Sequence, residues 1–214
     1  MNPFHSVQTM VMKKHSKLAF LVFLIVFPPL QAWAIAQTAD QVVSSTTDQV
    51  LKAVSEEGVK EDNQKIYAIV EQLILPHFDF QKMSQWVLGK YWRQANDSER
   101  QQFSAQFQKL LVRTYSTAFQ QYTNEKVVYL PTHSAPDANR VMVKCQIVRE
   151  GGPPIAIDYR LHQKNGEWKV FDVMIDGISL VTNYRTTFAQ QIRDKGIDGL
   201  IATLVERNQE ASKP

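Results

Sequence analysis

The sequence is poor in cysteine and in the residues that interrupt regular structure. Its 214 residues include one cysteine, eight glycines and nine prolines. A single thiol, Cys145, cannot form a disulfide within the chain, which excludes a small disulfide-stapled scaffold. We interpret Cys145 as a small buried strand residue. The low content of glycine and proline also excludes collagen-like and low-complexity chains.

The sequence lacks the motifs of common enzyme classes. It contains no G-x-S-x-G nucleophile elbow, no glycine-rich phosphate or dinucleotide loop and no H-E-x-x-H zinc motif. The later histidines, His77, His133 and His162, are isolated and have no Cys or carboxylate cluster at metal-ligand spacing. We therefore predict neither a metal site nor a cofactor.

Three aspartates remain as candidates for acid–base chemistry: Asp158, Asp172 and Asp176. Asp176 precedes Gly177 at the end of a predicted strand, so a turn explains it more simply. Asp158 and Tyr159 would be the pair in a small pocket enzyme, but neighbours on a strand point to opposite faces. We predict no catalytic residue and keep such an enzyme as an alternative.

Excess positive charge is missing outside the first 36 residues. The net charge of +3 comes from Lys13, Lys14 and Lys17, and basic and acidic residues balance at 21 each over residues 37–214. A balanced chain gives no support for nucleic-acid binding, which requires patches that neutralise phosphates.

The apolar run at residues 18–27 is too short for a membrane anchor, which needs about 20 apolar residues. It follows the three lysines and precedes small residues at Ala32, Ala34 and Ala36. This order is typical of a secretory signal, and we predict that residues 1–36 are cleaved near Ala34 or Ala36. The mature protein would then be soluble and exported.

Periodicity predicts helices on both sides of a block of strands. The predicted helices span residues 38–57, 62–75, 78–92, 98–122, 180–195 and 200–205. A capping box is expected at Ser98 and Gln101, and Gly196 is expected to end a helix. The predicted strands span residues 127–130, 141–148, 155–162 and 167–175, with a hairpin turn at Asn165-Gly166.

These elements predict one α+β domain over residues 37–208, with a flexible tail at 209–214. A curved antiparallel sheet of about four strands would pack against several helices. The domain is rich in aromatic and large apolar residues, and such a layered fold either fills its core or leaves an apolar pocket between the layers. Composition does not distinguish a filled core from a hollow one.

An ordered set of short segments resembles the MlaC family, also called the toluene-tolerance family. The resemblance covers residues 62–206 in collinear order. Its helical part consists of Phe78-Asp79-Phe80, the run from Val87 to Trp92, Phe103 with Phe107 and Leu110, and Thr114-Tyr115. Its later part consists of residues 157–161, 166–173, 176–181 and 196–200, together with Asn183-Tyr184-Arg185 and Phe188.

The resemblance implies a periplasmic carrier of glycerophospholipids that helps maintain outer-membrane lipid asymmetry. Its expected partners are an outer-membrane lipoprotein–porin complex and an inner-membrane ABC transporter. It implies acyl tails held in an apolar pocket between sheet and helices, with no catalytic residue and no cofactor apart from the lipid cargo. The alternatives are the small pocket enzyme and a ligand-free module that assembles envelope complexes.

The candidate lipid-binding residues are the large side chains on the predicted apolar faces. They are Leu73, Phe78, Val87, Leu88, Phe107, Leu110, Leu111, Tyr115, Ile157, Tyr159, Leu161, Phe171, Val173, Val181 and Tyr184.

Overall fold

The computed structural model describes residues 37–121, 125–132, 138–149 and 151–210. The predicted signal segment, His133 and the last four residues lie outside the described residues. The helices are α1 (Ala39–Val54), α2 (Asn63–Ile69), α3 (Phe80–Leu88), α4 (Asp97–Gln120) and α5 (Leu180–Glu210). The strands are β1 (Lys126–Tyr129), β2 (Arg140–Val148), β3 (Ile155–Lys164), β4 (Glu167–Ile175) and β5 (Ile178–Ser179).

The capping residue of the long helix α4 lies two residues before the predicted one. The Asn96 side chain accepts a hydrogen bond from the Glu99 amide at 2.9 Å, and the Glu99 carboxylate accepts one from the Asn96 amide at 2.6 Å. The predicted box at Ser98 is therefore wrong. Asn96 caps the helix instead, which places the acidic Asp97 and Glu99 in the first turn, where the helix dipole favours them.

The segment predicted as one helix at 62–75 changes its winding part way along. Asp62 caps α2 by accepting hydrogen bonds from the amides of Gln64 and Lys65. After Ile69 the chain continues as a wider π-helical stretch, Val70–Ile74, and then as a 3₁₀ turn, Leu75–His77. Pro76 lies in that turn. Proline has no N–H to donate, so the helix does not continue through it.

All five strands are antiparallel neighbours, in the order β1-β2-β3-β4-β5, and the curled sheet stays open. The predicted two-residue hairpin at Asn165-Gly166 is present, and both residues have positive φ. A second such turn at Asp176-Gly177 adds the short strand β5, which the sequence did not indicate. The predicted α+β class with a curved antiparallel sheet is confirmed.

A β-bulge in β4 interrupts its regular pairing with β3. Tyr159 pairs with Val173 and Leu161 pairs with Val170, so Phe171 is an extra residue without a partner on β3. Its neighbour Asp172 is buried and accepts hydrogen bonds from the Ser179 hydroxyl at 2.7 Å and the Val181 amide at 3.2 Å. Asp172 therefore fastens β4 to β5 and to the first turn of α5.

Helix α5 contains the two helices that were predicted at the end of the chain. Its backbone breaks at Gly196, where φ is 73° and ψ is 179°. No atom lies within 4 Å of the position that a Cβ would occupy there, so the dihedral angle, not space, favours glycine. None of the helices in the described ranges is long and apolar enough to cross a membrane.

We expect Asp172→Ala to lower the free energy of unfolding by about 2–3 kcal/mol, because hydrogen bonds to a buried carboxylate are strong. Urea unfolding of the purified protein measures this. Asp158→Ala, one strand away and half-buried, is the matched control and should change stability by no more than about 0.5 kcal/mol. Equal losses in the two variants would contradict the fastening role.

Candidate functional site

Two of the three carboxylates considered for catalysis have structural roles. Asp176 occupies the second hairpin turn and accepts a hydrogen bond from the Ala156 amide at 3.0 Å, and Asp172 fastens α5. Asp158 lies opposite Lys144 in the sheet, on the face away from Tyr159. Among the described residues, no group of three His, Cys, Asp or Glu side chains could hold a metal ion.

A polar cluster around the buried Asp79 joins α3 to the sheet. Asp79 caps α3, contacts Nε2 of His162 at 3.1 Å and forms an ion pair with Lys164 at 3.1 Å. Burial raises the pKa of Asp79, but the amide of Lys82 and the ammonium of Lys164 outweigh this effect and hold the pKa below its ordinary value. The cluster is satisfied internally, so its role is structural. His77, whose pKa is lowered by burial and by Lys169, does not contribute to it.

Most of the candidate lipid-binding residues lie in an apolar cluster formed by α3, α4 and α5, called the helix cluster below. The ring of Phe107 stacks near Phe103 at 5.7 Å and meets Tyr184 edge-on at 5.2 Å. The candidates in this cluster are Val87, Leu88, Phe107, Leu110, Leu111, Phe171, Val181 and Tyr184. All except the half-buried Tyr184 are buried, so this cluster is largely filled.

A second cluster, the sheet cluster, covers the inner face of the sheet under α1. Its candidates are the buried Leu161 and Val173 and the half-buried Ile157 and Tyr159. Phe78 and Tyr115 pack against both clusters and join them. Leu73 lies apart from the other candidates, against a third cluster of α1 and α2.

Titratable side chains on or beside the inner sheet face have raised pKa values. Burial is the main cause of the raised pKa of Tyr159, with smaller contributions from Cys145 and Tyr129. Burial also raises the pKa of Cys145 to about 11 and of Tyr115 to about 12, where Tyr184 adds to the effect. Tyr159 and Tyr115 pack against the apolar sheet cluster, and Cys145 lies on the same face of the sheet, which accounts for the direction of the shifts.

Several interior residues were not among the candidates. They are Ala39, Val43, Tyr129, Val141, Val143, Cys145 and Val170, of which Cys145 is buried on β2 as predicted from its type. Alternation could have found Tyr129, because Tyr129 pairs with Cys145 and Cys145 with Ile157, so all three share one face. No signal in the sequence placed α1 against this face.

Two surface grooves have volumes of about 740 Å³ and about 360 Å³. Lys and Arg supply half of the twelve residues that line the larger groove, which the candidate Leu88 borders. The smaller groove is bordered by the candidate Phe78 together with Asp79, Lys164 and Lys169. Charged side chains border both grooves, whereas most of the candidates lie in the two apolar clusters.

The raised pKa of Tyr115 predicts a loss of stability in alkali. The phenol has an ordinary pKa of 10.0 and a folded-state pKa of about 12, so the folded chain holds this proton where the unfolded chain releases it. The stabilisation is complete below pH 10 and is lost as the pH rises through about 12. We expect Tyr115→Phe to flatten this loss in urea-unfolding curves, whereas Tyr67→Phe in α2 should leave it unchanged. Identical profiles for the two variants would show that Tyr115 does not face an apolar interior.

The family model described as MlaC protein matches residues 44–206. The toluene tolerance protein Ttg2D of Pseudomonas putida is 29% identical over 200 residues, covering 89% of this chain and 92% of that protein. The intermembrane phospholipid transport system binding protein MlaC of Haemophilus influenzae is 27% identical over 187 residues, covering 85% and 86% of the two chains.

A solved structure extends the likeness to three dimensions. The phospholipid-binding protein from Ralstonia solanacearum, in complex with a phospholipid, superposes with a TM-score of 0.77 at 34% identity. The match covers 83% of this chain and all of that chain. The family model alone spans well over half of the sequence, and the chain therefore belongs to the MlaC family.

Proposed function

We propose that this protein is a carrier of glycerophospholipids that holds the acyl tails in the apolar interior between the sheet and the helices. The observation that carries the proposal is the likeness to a phospholipid-bound structure over that protein's full length. The described residues supply the chemistry that lipid tails require, an apolar inner sheet face with half-buried Ile157 and Tyr159. The structural roles of Asp172 and Asp176 support a function without catalysis.

The proposed tail-binding surface centres on the joint between the two clusters. Phe78 and Tyr115 would separate the tails from the filled helix cluster, and the inner sheet face would form the opposite wall. The headgroup would remain near the surface. Discrimination between headgroups should then be weak, because few polar groups of the protein would contact it.

Apolar burial explains how such a carrier keeps its cargo. Two acyl chains contain roughly 30 methylenes, each worth about 0.8 kcal/mol when removed from water. The gross sum exceeds any measured affinity, so the tails do not escape into water on their own. Transfer to a membrane or to another apolar cavity buries the same tails again. The transfer step therefore needs no catalytic group and no ATP within this chain.

The site of action follows from the predicted leader. With residues 1–36 removed near Ala34 or Ala36, the protein would work in the periplasm. There it would exchange lipid between an outer-membrane lipoprotein–porin complex and an inner-membrane ABC transporter, and so help maintain outer-membrane lipid asymmetry.

Protein purified from cells should contain about one phospholipid per chain, because the apolar interior is unfavourable when filled with water. Native mass spectrometry and organic extraction measure the bound lipid. If extraction yields no phospholipid and added lipid is not taken up, the chain is a ligand-free interaction module instead.

A charge on the inner sheet face should displace the lipid. Ile157→Arg places a guanidinium among the tails, and we expect bound lipid to fall to below about a tenth of the wild-type amount. Val148→Arg is the matched control, because Val148 is 41% exposed at the end of β2. Circular dichroism checks the fold of both variants.

If Ile157→Arg does not fold, Val141→Trp replaces it. This change fills space beside the same face without adding charge. Normal lipid content in a folded inner-face variant would remove this face from the proposed site.

A further inference from the structure

The larger surface groove runs between α3 and α5 and is called the basic groove below. Besides α3 and α5, the 3₁₀ segment Gly89–Arg93 and the first residue of β2 contribute to it. Its lining consists of Lys82, Gln85, Trp86, Leu88, Gly89, Lys90, Tyr91, Arg93, Arg140, Arg185, Ala189 and Arg193.

Helical spacing explains how the groove forms. Gln85 and Trp86 follow Lys82 by about one turn of α3, so the three lie on one face, and Gly89 follows the end of α3 at Leu88. Arg185, Ala189 and Arg193 are spaced four apart on α5 and share a face in the same way. The small residues Gly89 and Ala189 leave the space between the flanking cationic side chains.

The groove concentrates charge in a chain that is otherwise balanced. Six of the 21 basic residues of segment 37–214 line it, and its lining contains no carboxylate. Within the described part of the chain, none of the six forms an ion pair with an Asp or Glu side chain. Uncompensated like charges in a concave surface repel one another and attract an anionic partner.

Two of the guanidinium groups are held in place before any partner arrives. Nε of Arg185 donates to the Trp86 carbonyl at 2.7 Å, and the group lies against Gly89, where a Cβ would come within 3.2 Å of that nitrogen. The guanidinium of Arg140 lies over the Trp86 ring at 5.9 Å. Fixed cations lose little entropy when they bind a carboxylate.

We propose that the basic groove is the docking site for a carboxylate-rich segment of a partner protein. Arg, Trp and Tyr are the residues enriched at the energetic centres of protein interfaces, and all three line this groove. A flat anionic membrane fits less well, because the cations line a concavity and the rest of the chain has no surplus of positive charge.

The groove is separate from the proposed lipid site. Asp172 pairs with Arg160 on the sheet face away from Tyr159, and Trp86, which lines the groove, packs on the neighbouring Phe171 with ring centroids 5.6 Å apart. The inner face carries Ile157 and Tyr159. Docking can therefore be tested independently of lipid content.

The test uses the protein expressed from its full chain and two labelled peptides. One peptide is rich in glutamate and leucine, and its twin has glutamine in place of each glutamate. We expect saturable binding of the acidic peptide, measured by fluorescence anisotropy, that weakens as salt is added. The twin should bind at least about tenfold more weakly, since charge supplies the recognition.

A charge-reversed double variant, Arg93→Glu with Arg193→Glu, should lose affinity for the acidic peptide by at least about tenfold. Both side chains are exposed, so folding should be unaffected. Lys52→Glu with Lys109→Glu is the matched control, because it makes the same change in net charge on α1 and α4. That control should lose less than about threefold.

Three outcomes would overturn the proposal. One is the absence of peptide binding, and another is an equal loss in the two double variants, which would reflect net charge alone. The third is binding to phosphatidylglycerol vesicles that depends on Arg93 and Arg193 without peptide binding, which would make the groove a membrane contact. Extracted phospholipid, measured in the same samples, should be unchanged in both double variants, so failure of docking is distinguishable from failure of the carrier function.

Discussion

The bulge at Phe171 and the buried carboxylate of Asp172 set the arrangement of the molecule. The bulge lets β4 present Val170 and Val173 to the sheet cluster while Phe171 joins the helix cluster. Asp172 then holds the first turn of α5 beside the sheet by accepting from Ser179 and Val181. Helix α5 supplies part of the helix cluster and one wall of the basic groove. The cluster and the groove therefore both depend on the position in which Asp172 holds the first turn of α5.

Much of the fold could be predicted from local signals, and the remainder depends on tertiary contacts. Asn165-Gly166 predicted a hairpin because both positions need positive φ, and the structure has that turn. No sequence signal predicts the bulge, because the residues from Lys169 to Val173 are typical of an ordinary strand. The cap of α4 was misplaced because Asn96 and Ser98 are both good capping residues, and only the structure shows which side chain accepts from the amide three residues later.

The sequence predicts which faces of single helices and strands are apolar. It does not predict which of those residues together form a binding surface. Periodicity identifies Phe107 and Leu161 as inward-facing, yet both are fully buried and belong to different clusters. Whether a large side chain fills a core or borders a gap depends on the opposing layer, which the sequence of one element does not contain. The basic groove escaped prediction for a related reason: its cations lie between residues 82 and 193, and the balanced net charge hides their convergence.

Phe78 and Tyr115 are the aromatic residues, among those described, that pack against both clusters. A core divided in this way is not equally stiff in all of its parts. The helix cluster is buried and resists compression, whereas the seam between the two clusters is crossed by two rings, those of Phe78 and Tyr115, that can rotate about their χ angles. Swelling of the interior would then be taken up at the seam, with the backbone hydrogen bonds of sheet and helices kept intact. The chain thus combines a rigid frame with an interior of adjustable width.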